Sequence, residues 1–322
     1  MSARLKNALK AGLGLLLLAA LVWMVDWRNL LPVLKNLTAP GIAALLLLAY
    51  ALVLVSCVKW RLFLVARGAP VALGKLVDLY VVGYFFNNFA PSNVGGDVAR
   101  SYILGAHIGS QSNSFGTVFL ERFTGLVALS GLAVAAACLR PELLANRLLL
   151  ALLAGLAAGF VAILLLTASQ PAQQWARRAL GRLPARLPAA KLGKFLDVVF
   201  YFRDHRGIMV QALGLSVLYH VLTILNTYAA VWALGLRVDF LDLAVVVPVV
   251  LMVSAVPVSL NALGIMEGAF VYFLGLAGLN SAEALSIALV LRAKNVLLAL
   301  LGGLLFLRWN HRARAPQPQG RP

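Results

Sequence analysis

Eight charged side chains lie in or beside hydrophobic segments of the chain, where lipid tails cannot solvate them. A charge at the bilayer centre costs about 2.5 to 3.5 kcal/mol on insertion scales, so such residues normally face a polar cavity or an oppositely charged partner. Four acids and four bases therefore predict ion pairing around a polar interior. The eight residues are Asp78, Asp97, Arg100, Glu121, Arg122, Glu267, Arg292 and Lys294.

Three basic side chains lie deep within hydrophobic segments. At 1.5 Å per residue, Arg292 and Lys294 sit about 12 to 15 Å into a helix, too deep to extend easily to either membrane surface. We expect both to line a polar interior; the alternative is that they form buried pairs with Glu267 or Glu121. His220 is expected to be a hydrogen-bonded packing residue rather than a proton relay.

The other charged residues also have structural alternatives. Asp97 can act directly or cap the N-terminus of the helix that follows it. Glu121 and Arg122 lie near a helix end, from which they could instead extend to the membrane surface. Asp78 is best explained as a surface partner of Lys75, three residues away on the same helix.

Two polar, helix-breaking stretches interrupt the hydrophobic segments. Residues 85–100 read FFNNFAPSNVGGDVAR, and residues 257–268 read PVSLNALGIMEG. Proline removes a backbone donor, glycine tolerates angles that other residues avoid, and asparagine side chains can replace lost backbone partners. Lipid cannot satisfy such a backbone, so the first stretch is either a re-entrant tip or a loop at the membrane face. The residues expected to shape the two breaks are Asn88, Pro91, Gly95, Gly96, Pro257 and Gly264.

The composition is that of an integral membrane protein. The chain is 62% hydrophobic and only 12% charged, with a mean hydropathy of +0.90, whereas soluble proteins are about 25% charged. Long apolar runs and the absence of a period-two alternation predict an all-α fold. The net charge of +17 is concentrated beside hydrophobic runs, which is the positive-inside pattern and gives no reason to expect nucleic acid. Cys57 and Cys138 lack metal-site spacing, and no metal or cofactor is expected.

About six full transmembrane helices and two re-entrant helical hairpins account for these segments. Basic residues from Lys59 to Lys75 are taken as a cytoplasmic loop, and the other basic clusters place both termini in the cytoplasm. The arms beside the first break have about 11 residues and span about 16 Å, which favours a hairpin over two crossings. Two hairpins that enter the membrane from opposite faces would give the inverted-repeat plan of many transporters. The six helices are predicted at about 11–25, 40–58, 115–138, 148–167, 208–234 and 284–307.

This topology divides the chain into four parts. Residues 1–169 form a first membrane half and residues 207–308 a second, joined by a basic cytoplasmic loop at 170–206 and followed by a basic tail at 309–322. The loop is expected to bind anionic lipid headgroups. A homodimer is among the assemblies that the sequence allows.

Several of the polar motifs together resemble a known family. NFAPS at 88–92, GGDxxR at 95–100, the Glu121-Arg122 pair at the head of a helix and GxxE at 264–267 are similar to the transmembrane region of lysylphosphatidylglycerol synthases, also called the flippase-like membrane family. The similarity spans nearly the whole chain. Family members usually carry extra glycines where this chain has Asn261 and Ala262.

The resemblance implies lipid translocation without fixing the lipid. In bifunctional relatives this region is thought to move an aminoacylated phospholipid between leaflets, while a C-terminal synthase domain, not expected in this chain, transfers the amino acid. The residues that the resemblance places in the lipid pathway are Asp97, Arg100, Glu121, Arg122 and Glu267.

We therefore expect a flippase-like transporter of the bacterial cytoplasmic (inner) membrane rather than an enzyme. It would move a phospholipid or another lipid-linked anionic or aminoacylated headgroup between leaflets. The basic side chains could meet a phosphate, and the acids could hold them in place or exchange protons. The alternatives are a membrane-embedded lipid-modifying transferase, for which no catalytic motif is found in the sequence, and a non-transporting accessory of envelope lipid assembly. The predicted substrate pathway comprises Asn88, Pro91, Asp97, Arg100, Glu121, Arg122, Glu267, Arg292 and Lys294.

Overall fold

A computed structural model describes residues 27–89, 95–140, 145–168, 205–256 and 259–314 of the chain, with isolated positions outside these ranges. All regular elements in these ranges are helical, as the sequence predicted. The predicted helix at 11–25, most of the basic loop, the end of the tail, Pro91 and Pro257 lie outside the described ranges.

The described ranges contain ten α-helices and one 3-10 helix. They are α1 (Trp27–Lys35), α2 (Ala39–Ala66), α3 (Leu73–Phe89), α4 (Gly95–His107), α5 (Gln111–Cys138), α6 (Arg147–Ala168), α7 (Arg206–Ala233), α8 (Phe240–Ser254), the 3-10 helix (Leu260–Ala262), α9 (Ile265–Leu276) and α10 (Ser281–Arg314).

Local capping defines where the long helices begin. The Ser110 hydroxyl accepts the backbone N–H of Asn113 at the start of α5. At the start of α10, the Asn280 side chain accepts the N–H of Glu283 while the Glu283 carboxylate accepts the N–H of Asn280. Such reciprocal caps satisfy backbone donors that have no partner within the helix. These caps place the start of α10 three residues before the predicted helix at 284–307.

Four of these helices are long and apolar enough to cross a membrane. They are Ala39–Ala66, Gln111–Cys138, Arg206–Ala233 and Ser281–Arg308, each of 28 residues. At 1.5 Å per residue each extends about 42 Å, more than the roughly 30 Å of a hydrocarbon core. The chain is therefore an integral membrane protein. The total number of crossings and their orientation stay predictions.

The helices α2 and α7 pack closely against each other along the centre of the molecule. At one end, a Cβ on Gly41 would overlap Ala233, so only glycine allows the two backbones to come this close. The N–H of Thr38 donates to the carbonyl oxygen of Ala233 over 2.9 Å at the same end.

Two pairs of shorter helices pack as hairpins. In the first hairpin α3 packs against α4, and in the second α8 packs against α9. Their helices have 17, 13, 15 and 12 residues. The first two are longer than the 11-residue arms predicted, because α3 begins earlier and α4 already begins at Gly95, inside the glycine pair.

The open ends of the two hairpins lie toward opposite ends of α2. Near the C-terminal end of α2, Leu64 shares an apolar cluster with Leu76 at the start of α3 and Leu104 at the end of α4. Toward the other end, the N–H of Thr38 just before α2 donates to the carbonyl oxygen of Ala233, and α8 begins shortly after Ala233, at Phe240. Late in α9, the Tyr272 hydroxyl accepts the side-chain amide of Asn146, and Leu45, Leu243, Phe273 and Leu274 share one apolar cluster.

The sequence-based end of the second helix was wrong. Lys59 and Arg61 were placed in a cytoplasmic loop, but α2 continues through them to Ala66. Lys59 is only 3% exposed, because its Nζ donates to Ser216 over 3.0 Å and lies 5.8 Å from the centre of the Tyr219 ring. Partners on α7 make this burial tolerable, and the local sequence of α2 gives no sign of them.

A surface ion pair joins α5 to the start of α8. The guanidinium of Arg140, just after α5, contacts the carboxylates of Asp239 and Asp242. Asp239 is the N-cap of α8, where its side chain accepts the N–H of Leu241. That hydrogen bond, together with Arg140, holds the pKa of the Asp239 carboxyl below its usual value.

Candidate functional site

A polar hollow lies among the two hairpins and the four long helices. Its volume is about 260 Å³. Leu52 lines it from α2, Arg122 from α5, Tyr219 from α7 and Lys294 from α10, and each is close to the midpoint of its 28-residue apolar segment. A membrane that covers the long helices therefore places the hollow near its central plane.

The first hairpin reaches the hollow through side chains that replace backbone partners. The N–H of Gly96 donates to the side-chain oxygen of Asn87 over 2.6 Å, and the Asn88 amide donates to the carbonyl oxygen of Tyr84 over 3.1 Å. A Cβ on Gly96 would overlap the carbonyl oxygen of Gly83, so the close contact between α3 and α4 requires glycine. The sequence predicted the role of asparagine in this stretch, whereas it explained the glycines by unusual backbone angles, and Gly96 is instead required by the close contact between the two helices.

The second hairpin reaches the hollow through a strained turn. Asn261 and Ala262 both have positive φ, 47° and 51°, which is uncommon for residues other than glycine. Gly264 has φ of 80° and precedes α9 directly, and its N–H donates to the carboxylate of Glu267 over 2.8 Å. These two left-handed residues lie where members of the family that the sequence resembles usually carry extra glycines.

The two helix breaks contact each other directly. The side-chain amide of Asn261 donates to the side-chain oxygen of Asn88 over 2.9 Å, although 173 positions separate the two residues. Both residues line the hollow. The sequence predicted Asn88 in the pathway but did not identify Asn261 as its partner.

The first charged cluster is centred on Asp97. Its carboxylate accepts two hydrogen bonds from Arg122, at 2.7 and 3.1 Å, and one from Arg100 at 3.1 Å. Of the two roles left open for Asp97, the N-cap is not what the structure shows, because α4 begins at Gly95 and places Asp97 inside its first turn. The carboxylate is instead directed at the two guanidinium groups.

Arg100 joins this cluster to Glu121. Its Nη2 lies 2.8 Å from Oε2 of Glu121, and Tyr80 donates to the other Glu121 oxygen over 3.0 Å. The guanidinium also lies 4.7 Å from the ring of Trp60 and 4.3 Å from that of Tyr80, within the distance of cation–π contact. Glu121 and Arg100 are buried, so neither extends to the membrane surface.

The second charged cluster is centred on Glu267. This fully buried carboxylate accepts the Arg292 Nε–H over 2.6 Å. The Nη groups of Arg292 donate to the carbonyl oxygens of Asn261 and Ala262, at 2.9 and 3.3 Å. Arg292 therefore forms the predicted pair with Glu267 and also lines the hollow, and it holds the strained turn in place.

Lys294 has a different environment from Arg292. Its Nζ donates to the side-chain oxygen of Asn226 over 2.7 Å, and the Asn226 amide donates to the carbonyl oxygen of Leu45 over 2.8 Å. No described acid lies within ion-pair distance of Lys294. Lys294 lines the hollow, as the sequence predicted.

The two charged clusters share a pattern along the chain. Asp97 pairs with Arg122, and Glu267 pairs with Arg292, and each pair is separated by 25 positions. In each half the acid lies on the second helix of a hairpin and the arginine on the long helix that follows. This correspondence was not identified from the sequence.

A further set of polar side chains lies behind the hollow. Ser216 donates to the Ala212 carbonyl and lies 3.3 Å from the Thr124 hydroxyl, next to Lys59. His220 contacts the carbonyl oxygen of Gly125 through Nε2 over 2.8 Å, which supports the expected packing role. Lys59, Asn226 and Asn261 are polar residues of this region that were not in the predicted pathway.

Comparisons with known proteins cover almost the whole chain. The sequence matches the family described as "Lysylphosphatidylglycerol synthase TM region" over residues 7–303. A UPF0104 membrane protein of Methanothermobacter thermautotrophicus is 23% identical over 311 residues, 89% of this chain and 90% of the relative. Another UPF0104 membrane protein, from Pyrococcus horikoshii, is 25% identical over 331 residues, 94% of this chain and 97% of the relative. No solved structure shows a significant match to the chain.

Proposed function

Since the chain belongs to the family of lysylphosphatidylglycerol synthase transmembrane regions, we propose that it is a flippase-like transporter of membrane lipids and not an enzyme. It moves the headgroup of a phospholipid, or of another lipid with an anionic or aminoacylated headgroup, between leaflets through the hollow. The observation that carries the proposal is the direct contact between the two helix breaks, Asn88 and Asn261, beside one charged hollow. A polar headgroup needs such a shelter to cross the hydrocarbon core.

The dimensions of the hairpins support a re-entrant arrangement. Helices of 12 to 17 residues extend about 18 to 26 Å, which is less than the roughly 30 Å of the hydrocarbon core. Their open ends pack toward opposite ends of α2, while their breaks meet near its centre. We propose that each hairpin dips into the membrane from its own face and turns back at the hollow.

The order of elements supports an inverted repeat. The helices α2 to α5 form a long helix, a hairpin and a long helix, and α7 to α10 repeat that order. The acid-to-arginine pairs at equal spacing strengthen the correspondence. We propose that the two halves move against each other around the hollow, which is the alternating-access motion of transporters built in this way.

We propose that the protein lies in a cytoplasmic membrane. The relatives named above are archaeal, so the family is not confined to bacteria. The basic segment at 170–206 would bind anionic headgroups at the cytoplasmic face.

The test is lipid movement in reconstituted vesicles. Purified protein is inserted into liposomes with an acyl-chain-labelled fluorescent phospholipid, and a membrane-impermeant reductant measures how much label reaches the outer leaflet. We expect Asp97→Asn and Glu267→Gln to abolish movement, because each leaves an arginine of the hollow without its carboxylate. Glu283→Gln, the same change at an exposed helix start, should keep the wild-type rate.

A second variant separates transport from folding. Asn295 lines the hollow, and Asn295→Phe fills it without altering an ion pair, so lipid movement should fall while elution as a folded monodisperse species is retained. Wild-type rates in both Asp97→Asn and Glu267→Gln, with Asn295→Phe also active, would remove the hollow from the transport path.

A further inference from the structure

We propose that Lys294 and Arg122 form a phosphate site in the hollow, and that the lipid it serves carries net negative charge rather than an aminoacyl cation. This proposal rests on the transport function proposed above, and it selects one of the headgroup classes that the transport function leaves open. The argument depends on the charge and the remaining hydrogen-bonding capacity of these two side chains.

The ammonium of Lys294 is positioned but not neutralised. Its one described contact is the side-chain oxygen of Asn226, and the bond from Asn226 to Leu45 fixes which amide atom faces the lysine. An ammonium has three donors, so two remain for a ligand. Amide oxygens orient the charge without cancelling it.

Arg122 also presents donors to the hollow. Its Nε and Nη2 bind Asp97, which leaves Nη1 free of that pair. The Arg122 side chain is 55% exposed, whereas Arg100 is 2% exposed and Arg292 11%. Of the three described arginines in the clusters, Arg122 is therefore the one placed to reach a ligand. A guanidinium held in this way by one carboxylate is a suitable partner for phosphate oxygens.

The charges around the hollow do not balance. The described acids of the two clusters are Asp97, Glu121 and Glu267, and the bases are Arg100, Arg122, Arg292 and Lys294. Three acids against four bases leave one positive charge, at Lys294, and Lys59, buried behind the hollow and bound to Ser216, adds a second positive charge to the region. The residues at 90–94 and 257–258 within the two breaks contain no ionisable side chain, so they add nothing to this count.

The excess charge predicts the ligand. A phosphodiester monoanion would reduce this excess of positive charge, and a headgroup with no net charge would leave it unchanged. An aminoacylated headgroup with a net positive charge would add a like charge in a low-dielectric region, which is unfavourable. A phosphate group can also come from free phosphate in solution, and the experiment has to distinguish this source from a lipid.

The transport arm compares two lipids in the same vesicles. Acyl-chain-labelled phosphatidylglycerol has net negative charge, and acyl-chain-labelled phosphatidylcholine is zwitterionic. We expect wild-type protein to move phosphatidylglycerol about tenfold faster, Lys294→Gln to reduce that preference to near equality, and Lys294→Arg to restore most of it. Lys35→Gln, at the exposed end of α1, serves as the matched control and should keep the wild-type preference. Equal rates in wild-type protein, or an unchanged preference in Lys294→Gln, overturn the phosphate site and leave transport intact.

The binding arm tests the site independently of transport. Native mass spectrometry of protein given equal amounts of the two lipids should show mainly phosphatidylglycerol retained, with that selectivity lost in Lys294→Gln. Selective retention without movement of either lipid would support the site and overturn the transport function. Complete displacement of the lipid by millimolar inorganic phosphate would overturn the lipid assignment in favour of free phosphate.

Discussion

Asn261 and Ala262 show how single residues shape the hollow. Their left-handed conformations direct two successive carbonyl oxygens toward the guanidinium of Arg292. A non-glycine residue in this region costs of order 1 to 3 kcal/mol, which persists only where surrounding contacts determine the geometry. Here the bonds to Arg292 and Asn88 supply those contacts.

The strained turn gives a prediction for Ala262. A β-branched side chain tolerates positive φ least, so Ala262→Val should destabilise the protein by about 1 to 3 kcal/mol and lower its melting temperature in detergent by several degrees. Ala262→Gly, which adopts the same angles without strain, is the matched variant and should melt close to the wild type. Equal melting temperatures for the valine and glycine variants would contradict the assigned conformation.

Charged residues were the most predictable part of the site. Hydropathy alone identifies a charge inside an apolar segment, and every described residue of the predicted pathway lies in the hollow or in the clusters beside it. Lys59 was misplaced because Lys59 and Arg61 follow the apolar run directly, where loop and helix look alike in sequence. Asn261 was missed as a partner because its contact with Asn88 spans 173 positions, and one sequence contains no signal for such a pairing.

At the scale of the elements, close backbone contacts join α3 both to α4 and to α10. Gly96 on α4 faces the backbone of Gly83 on α3, and Gly302 on α10 faces the backbone of Val81. Packing of this kind relies on small residues, because neighbouring helices in lipid gain little from burying apolar surface. The carbonyl group that Gly96 faces belongs to a helix backbone and cannot rotate away.

Gly96 therefore offers a sharp test of the first hairpin. We expect Gly96→Ala to destabilise the protein by about 1 to 3 kcal/mol, since the added methyl overlaps a carbonyl oxygen and forces α3 and α4 apart. Gly214→Ala on α7, where a methyl would meet nothing within 4 Å, should be neutral or slightly stabilising. Thermal unfolding in detergent measures both, and an equal melting temperature for the two variants would show that the helices are not in contact here.

The existence of the short helices was predictable, but their lengths were not. Hydrophobic runs flanking Pro91 and Pro257 indicated broken segments. The bounds of α3 and α4 depend on side chains such as Asn87, which supplies the acceptor for Gly96 and so lets α4 begin at Gly95. Capping of this kind is decided by tertiary contacts between the two helices and not by the local sequence.

At the scale of the whole molecule, the hairpins make a testable prediction about sidedness. In a background with Cys57→Ala and Cys138→Ser, Ala72→Cys lies at the base of the first hairpin and Ser281→Cys just beyond the base of the second; both positions are exposed. A membrane-impermeant maleimide should label them from opposite sides, with Ala72→Cys facing the cytoplasm.

Sealed vesicles of known orientation supply the measurement, and labelling after permeabilisation confirms that each cysteine is reactive. Labelling of both positions from the same side would rule out hairpins that enter from opposite faces. The sequence predicted this arrangement from the distribution of basic residues, which reports on loops. It could not show that the two breaks contact each other, because that contact depends on how α2 of the first half packs against α7 of the second half.

The ion pairs of the hollow are formed within one half of the chain at a time. Asp97 is neutralised by residues no more than 25 positions away, and the same separation joins Glu267 to Arg292. During synthesis, therefore, each buried carboxylate gains its counter-charge as soon as the next long helix has been inserted, and the first half need not wait for the second. In a nascent chain arranged in this order, an uncompensated charge is exposed to the bilayer only briefly. This order favours insertion helix by helix from the ribosome.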